Sequence, residues 1–205
     1  MRQMELLILT LFIFGLRISE LRALKVNSLK DGYLYVLAEA TAKTGLGKTV
    51  ILTTKSSTSN RRLLVPEEYL GLLNSHIKKY KLKKNDFIFF SSVGDKINKK
   101  YPVGEETIRR HLRTCEKIYK LDHIHPHMFR HSNVTILKSN GYDLSDIEKY
   151  VGHSDVNITK DYYYHLPIEK ENDVKNTLNG LIKDIKRYEW CSRLYQIVSK
   201  LYHKK

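Results

Sequence analysis

The first strong signal along the chain is a block of apolar residues with almost no polar interruption. Residues 4–14 read Met-Glu-Leu-Leu-Ile-Leu-Thr-Leu-Phe-Ile-Phe and stop at Gly15. A helix apolar on almost every side has no face to give to water, so it is expected in the middle of a domain. It is too short to span a bilayer. Arg2 ahead of it imitates a secretion signal, but Glu5 interrupts the pattern and no small-x-small cleavage site follows. A second helix is expected just afterwards, with Ser19 as N-cap, Glu20 in the first turn where the helix dipole favours an acid, and Leu21 and Leu24 facing inward.

Between Asp31 and Pro66 the pattern changes to short β-type runs at 33–38, 49–54 and 62–65, separated by Gly-, Lys- and Ser-rich turns. These predict a small antiparallel sheet. A helix then opens at Pro66, carrying Leu70, Leu73, Ile77 and Tyr80 at helical spacing. Another spans residues 105–119, with Ile108, Leu112, Cys115 and Ile118 on one face. The Lys-rich stretches at 78–84 and 96–100 read as short turn-like segments, and helices dominate to the end. Val174, Leu178, Leu181, Ile182 and Ile185 make a further helical stripe, followed by another helix around 190–202. The fold class is therefore α+β, predominantly helical with a small antiparallel sheet.

Composition narrows the partners. The 205 residues carry 36 Lys and Arg against 22 Asp and Glu, a formal charge of +14, with 41% hydrophobic residues. That is enough apolar material for a core, so the chain is a folded basic protein and not a disordered one. Such a charge attracts polyanions, nucleic acid first and an anionic membrane surface second. Two cysteines far apart, Cys115 and Cys191, exclude a disulfide scaffold or thiolate metal cluster and fit a reducing, cytoplasmic setting.

Candidate chemistry concentrates in residues 123–131, His-Ile-His-Pro-His-Met-Phe-Arg-His, which hold four histidines. His127 and His131 are four apart, on one face of a helix. A zinc hydrolase would have glutamate where Met128 stands, and no carboxylate cluster nearby completes a ligand set, so a metal centre is disfavoured. Hydrogen-bonded core histidines are the plain alternative.

Four blocks in order carry a more specific message: Gly-Leu-Arg-Ile-Ser-Glu-Leu at 15–21, His-Met-Phe-Arg-His at 127–131, Gly-His-Ser at 152–154, and Tyr162, Tyr163 and Tyr164 followed by His165. Together they resemble the catalytic domain of the tyrosine recombinases, the integrase family of phages and mobile genetic elements, over about residues 4–166. The resemblance implies that domain's fold for residues 1–166. It implies a DNA integration and recombination enzyme that cleaves and rejoins double-stranded DNA through a covalent 3′-phosphotyrosyl intermediate, without metal or nucleotide cofactor. Type IB topoisomerases and hairpin-forming telomere resolvases share much of such a site, and a DNA-binding remnant that no longer cuts is a third reading.

By the same resemblance Arg17 and Arg130 are the two arginines that clamp the scissile phosphate. The physics agrees, because planar, permanently charged forks suit the non-bridging oxygens of a pentacoordinate phosphorus better than lysine does. His127 and His153 match the family's two histidines, His131 is a supporting structural histidine, and Glu20 orients its neighbours. Lys55 is the candidate general acid for the leaving 5′ oxygen, with Lys48 and Lys43 as alternatives. Tyr163 is the expected nucleophile and Tyr162 the alternative. A phenol, with an intrinsic pKa of about 10, needs nearby cations or a proton acceptor to attack.

The resemblance also implies an upstream core-binding domain, which is not visible before Arg17, and self-association into a tetramer on DNA. Residues 167–205 form a C-terminal helical extension, a candidate for exchange between protomers. A cytoplasmic location follows, at the nucleoid if the source is prokaryotic.

Overall fold

The computed structural model describes residues 2–42, 49–53, 60–93, 96–152, 167–186 and 190–202. Helix α1 (Gln3–Phe14) is the axis of the domain: every residue from Leu6 to Phe14 is buried. Full burial leaves even its polar residue in need of a partner. The Thr10 hydroxyl meets the Leu6 carbonyl at 2.6 Å and the Tyr69 hydroxyl at 2.7 Å, and the Tyr69 ring packs edge-on against Phe14. Among the described residues no helix is long and apolar enough to cross a membrane.

Helix α2 (Ile18–Ala23) begins one residue before Ser19, with Arg17 as N-cap. The expected serine cap is replaced because the Glu20 carboxylate reaches back to accept the Arg17 backbone N–H at 2.8 Å. Where one small antiparallel sheet was expected, the described residues form three. Strands β1 (Leu29–Lys30), β2 (Tyr33–Val36) and β5 (Arg61–Leu64) form the first, with Leu34 opposite Leu63. Strands β3 (Ala38–Ala42) and β4 (Thr49–Thr53) form the second. The run expected at 33–38 breaks at Leu37, dividing it between the two sheets. Buried Arg22 on α2 ties the second sheet down, donating to the carbonyls of Ala40 at 3.0 Å and Val103 at 2.8 Å.

The third sheet pairs β6 (Phe90–Val93) with β7 (Lys96–Pro102), so residues 96–100 are strand where a turn-like segment was expected. Its outer strand is almost wholly exposed, and it is held by backbone pairing and by Lys100 on the buried Asp86 carboxylate, not by an apolar face. Lys78 and Lys79 likewise belong to the last turn of α3 (Glu67–Tyr80).

Helix α4 (Glu105–Tyr119) buries Ile108, Leu112 and Cys115, but Ile118, expected on that face, is 65% exposed near the helix end. Helices α5 (Pro126–Ser139) and α6 (Leu144–Val151) complete the front of the domain. In α7 (Ile168–Lys186) the apolar stripe lies in the common core, with Leu178, Ile182 and Ile185 essentially inaccessible. Its Asn179 carbonyl oxygen accepts the Glu68 backbone N–H at 3.2 Å, satisfying a free donor at the start of α3. Helix α8 (Trp190–Tyr202) packs on α5, where the Tyr195 ring meets Phe129. The described C-terminal helices thus share one core with the rest of the chain.

Candidate active site

The site grows out of a packing problem at the end of α1. A helix buried along its whole length must find donors for its last carbonyls, which no helical N–H can reach. Three side chains from α5 and α6 supply them. Asn133 donates to the Ile13 carbonyl at 2.9 Å, Tyr150 donates to the same oxygen at 3.2 Å, and Arg130 Nη1 donates to the Gly15 carbonyl at 2.7 Å. Gly15 adopts φ +56°, and a Cβ there would approach Asn133 and Val151 to 3.0 Å.

The end of α6 repeats the arrangement. Gly152, at φ +73°, terminates the helix, and its carbonyl accepts Arg17 Nη2 at 3.1 Å. Each of the two arginines therefore sits at a helix C-terminus, where the partial negative charge of the helix favours a cation. Arg17 is further held by Glu20, whose Oε1 accepts its Nη1 at 3.0 Å.

Glu20 is fully buried and shared. Arg61 on β5 donates Nη1 to Oε1 at 3.0 Å and Nη2 to Oε2 at 2.9 Å. Burial alone would raise the Glu20 carboxyl, but the charge and hydrogen bonds of Arg61, with Arg17, outweigh it and hold the group below its ordinary range. Burial pulls Arg130 down to about 9, and the neighbouring Arg61 and Arg17 add to the effect; it is still protonated at pH 7. Its Nη2 is buried with no hydrogen-bond partner among the described residues. Three guanidinium groups thus face one carboxylate among the described residues, an excess of two positive charges. A buried unpaired cation is costly, so this cluster has the electrostatics of a site for an anion with several oxygens.

His127, exposed in the first turn of α5, borders this cluster. Partial desolvation of the ring on its inner side, then the charges of Arg130, His131 and Arg17, keep its imidazole below the ordinary histidine value, which favours the neutral form at pH 7. Arg17 and His127 also line a groove of about 500 Å³ with Arg109, His123 and His125. His131, expected as a supporting structural residue, is exposed on α5 with its ring 6.4 Å from that of His127. Among the described residues no group of three or more His, Cys, Asp or Glu is placed to hold a metal ion.

The structure therefore brings Arg17, Glu20, His127 and Arg130 together. Lys43, Lys48, Lys55, His153, Tyr162 and Tyr163 lie outside the described residues. Arg61 is the residue that sequence reasoning missed. The signal was present: with a strand at 61–64, alternation puts Arg61 on the same inward face as Leu63.

A buried cluster of this kind on a mixed domain of helices and small hairpins defines a candidate phosphoryl-transfer or phosphate-binding protein. The comparisons make the class specific. The family model described as phage integrase family matches residues 2–169, and the chain belongs to that family. A tyrosine recombinase of Agathobacter rectalis is 31% identical over 175 residues, covering 80% of this chain and 48% of the relative. The ICEBs1 integrase of Bacillus subtilis is 27% identical over 179 residues, covering 83% and 47%. The chain spans about half the length of the curated relatives it matches. Among solved structures, the Tn1549 transposon integrase in complex with transposon right end DNA aligns with a TM-score of 0.59 at 20% identity, over 88% of this chain and 57% of the other. The XerA recombinase aligns with a TM-score of 0.55 at 18% identity, over 91% and 56%. These likenesses establish a shared fold.

Proposed function

We propose that this chain is the catalytic part of a site-specific DNA recombinase that cleaves and rejoins strands through a 3′-phosphotyrosyl intermediate. The observation that carries the reading is the convergence of Arg17, Arg130 and His127, where among the described residues three guanidinium groups face one carboxylate and the buried Arg130 Nη2 has no partner. A scissile phosphodiester supplies the missing charge. Its attack by tyrosine places additional charge on the non-bridging oxygens, which two fixed guanidinium forks stabilise more in the transition state than in the ground state.

In the step itself the tyrosine oxygen forms a bond to phosphorus while the bond to the 5′ oxygen breaks. The phenol proton passes to a nearby acceptor, and Lys55 gives a proton to the departing oxygen. His127, neutral at pH 7, is suited to hold a non-bridging oxygen or to relay a proton. The phosphotyrosyl bond conserves the energy of the phosphodiester, so a 5′ hydroxyl from another strand reverses the step. Assembly into a tetramer on double-stranded DNA belongs to the same proposal. So does the division into a catalytic domain at 1–166 and a helical extension at 167–205 that docks in cis in the single chain and exchanges between protomers on DNA.

The test is covalent capture on a nicked suicide duplex carrying a family-like core site. Capture by the wild-type chain that is lost in Tyr163→Phe supports the assignment. Capture that survives in Tyr163→Phe and vanishes in Tyr162→Phe moves the nucleophile by one residue. A chain that binds such duplexes and captures none is a binding protein.

A further inference from the structure

Arg61 occupies a position that stability alone does not explain. It is 1% exposed on an inward-facing strand position where its neighbour on the same face is Leu63. Replacing a buried ion pair by apolar residues of similar volume is often neutral or stabilising, so a pair retained there invites a functional account. Its surroundings supply one. Arg61 occupies both carboxylate oxygens of Glu20. Glu20 in turn holds Arg17 through Nη1 and the backbone N–H. On the other side, Arg61 Nη1 lies 2.8 Å from where a Gly152 Cβ would be, and the Gly152 carbonyl holds Arg17 Nη2. Of the two partners that aim the Arg17 fork, Glu20 is therefore gripped by Arg61 directly, and Gly152 is the residue whose missing side chain leaves room for the Arg61 guanidinium.

We infer that Arg61 is a positioning residue for Arg17, engaging Glu20 with both nitrogens so that this carboxylate orients Arg17 without neutralising it. With Arg61 in place, Glu20 is already paired and spares only one oxygen for the Arg17 side chain. Without it, the carboxylate is free to take Arg17 as its sole partner in a two-point pair. The fork then turns from the phosphate, and its charge is cancelled before substrate arrives. The inference rests on the strand-cleavage reading for its rate consequences but not for its binding consequences.

The experiment compares Arg61→Met, Arg61→Lys and Arg61→Met/Glu20→Gln with the wild-type chain by single-turnover capture on the suicide duplex. Urea unfolding is run in parallel to show that each variant is folded. Arg61→Met should slow capture about 100-fold, the scale of losing one charged transition-state contact. Removing the freed carboxylate in the double variant should return at least about tenfold of that loss, a recovery that a merely structural role would not give. Arg61→Lys keeps the charge and loses the two-point grip, so it should remain about tenfold slow with duplex affinity within about twofold of wild type. Wild-type rates in Arg61→Lys would reduce Arg61 to a source of electric field and overturn the positioning role. A double variant no faster than Arg61→Met would overturn the Glu20 route.

A binding arm reads the same idea without cleavage. The dependence of duplex affinity on salt should weaken by about one ion for Arg61→Met, because Arg17 no longer meets a phosphate, and recover in the double variant. If the wild-type chain captures no DNA but this pattern holds, the cleavage reading fails and the positioning inference stands; an unchanged salt slope in Arg61→Met removes it.

Discussion

Replacing Gly152 by alanine tests how tightly the end of α6 is coupled to the buried charges behind it. Two costs arise. The first is conformational: φ is +73°, and an L-residue in the left-handed region costs about 1–2 kcal/mol. The second is a collision, since the new Cβ would stand 2.8 Å from Arg61 Nη1, closer than real Cβ atoms come, and a tight 3.2 Å from its Cζ. Arg61 is 1% exposed and holds Glu20 with both terminal nitrogens, so moving Nη1 away is expected to weaken one of those bonds. A hydrogen bond to a charged group is worth about 1.5–3 kcal/mol. The total is about 2.5–5 kcal/mol, a large share of the roughly 5–15 kcal/mol that stabilises a typical domain. Gly141 provides the control. Its φ is +85°, yet nothing lies within 4 Å of its prospective Cβ, so Gly141→Ala incurs only the first cost. Urea unfolding of the two variants isolates the collision as their difference, about 2 kcal/mol, or about 1 M in midpoint for a slope near 2 kcal/mol/M. Equal midpoints for the two alanine variants would refute the coupling between Gly152 and Arg61.

Three further outcomes follow from the same geometry. Glu20 has a folded-state carboxyl below its unfolded value of about 4.3, so its stabilising contribution is complete above that pH and is lost as the pH falls through the folded value. Glu20→Gln should therefore lower stability by about 3–5 kcal/mol at pH 7 and by progressively less towards pH 3, measured by urea midpoints across that range. His127 gains charge only below its ordinary value of about 6.5, so duplex affinity at fixed salt should rise from pH 7.5 to 5.5, and His127→Gln should remove part of that rise; identical pH profiles would count against its place beside the phosphate. Tyr33 donates to the buried Glu171 carboxylate of α7 at 3.1 Å, so Tyr33→Phe should cost about 1 kcal/mol in a urea titration, whereas no change would mean that this contact does not fasten α7.

Much of this architecture is legible in the sequence, and the misses have physical causes. The apolar run at 6–14 announced a central helix because no solvent-facing stripe could be drawn on it, and the helix is buried throughout. Arg17, Glu20, His127 and Arg130 could be grouped from the spaced motifs, and the fold brings them together. The cap of α2 was misplaced because local preference for serine yields to a carboxylate that also serves the arginines. Strand β7 was hidden because Lys-Ile-Asn-Lys-Lys-Tyr-Pro has no buried face to alternate; its partner strand defines it, and pairing leaves no mark on composition. For Arg61 the inward face could be read from its alternation with Leu63, but the partner could not: only the tertiary position of Glu20, 41 residues earlier, gives it a buried carboxylate.

The carbonyls of Gly15 and Gly152, which receive Arg130 and Arg17, are main-chain atoms. No codon change can delete a carbonyl, so the aim of both forks is recorded in the path of the backbone and not in the identity of an acceptor side chain. Genetic fragility moves instead to the two glycines that allow that path. Substitutions elsewhere on the surface leave that path, and with it the orientation of both forks, untouched.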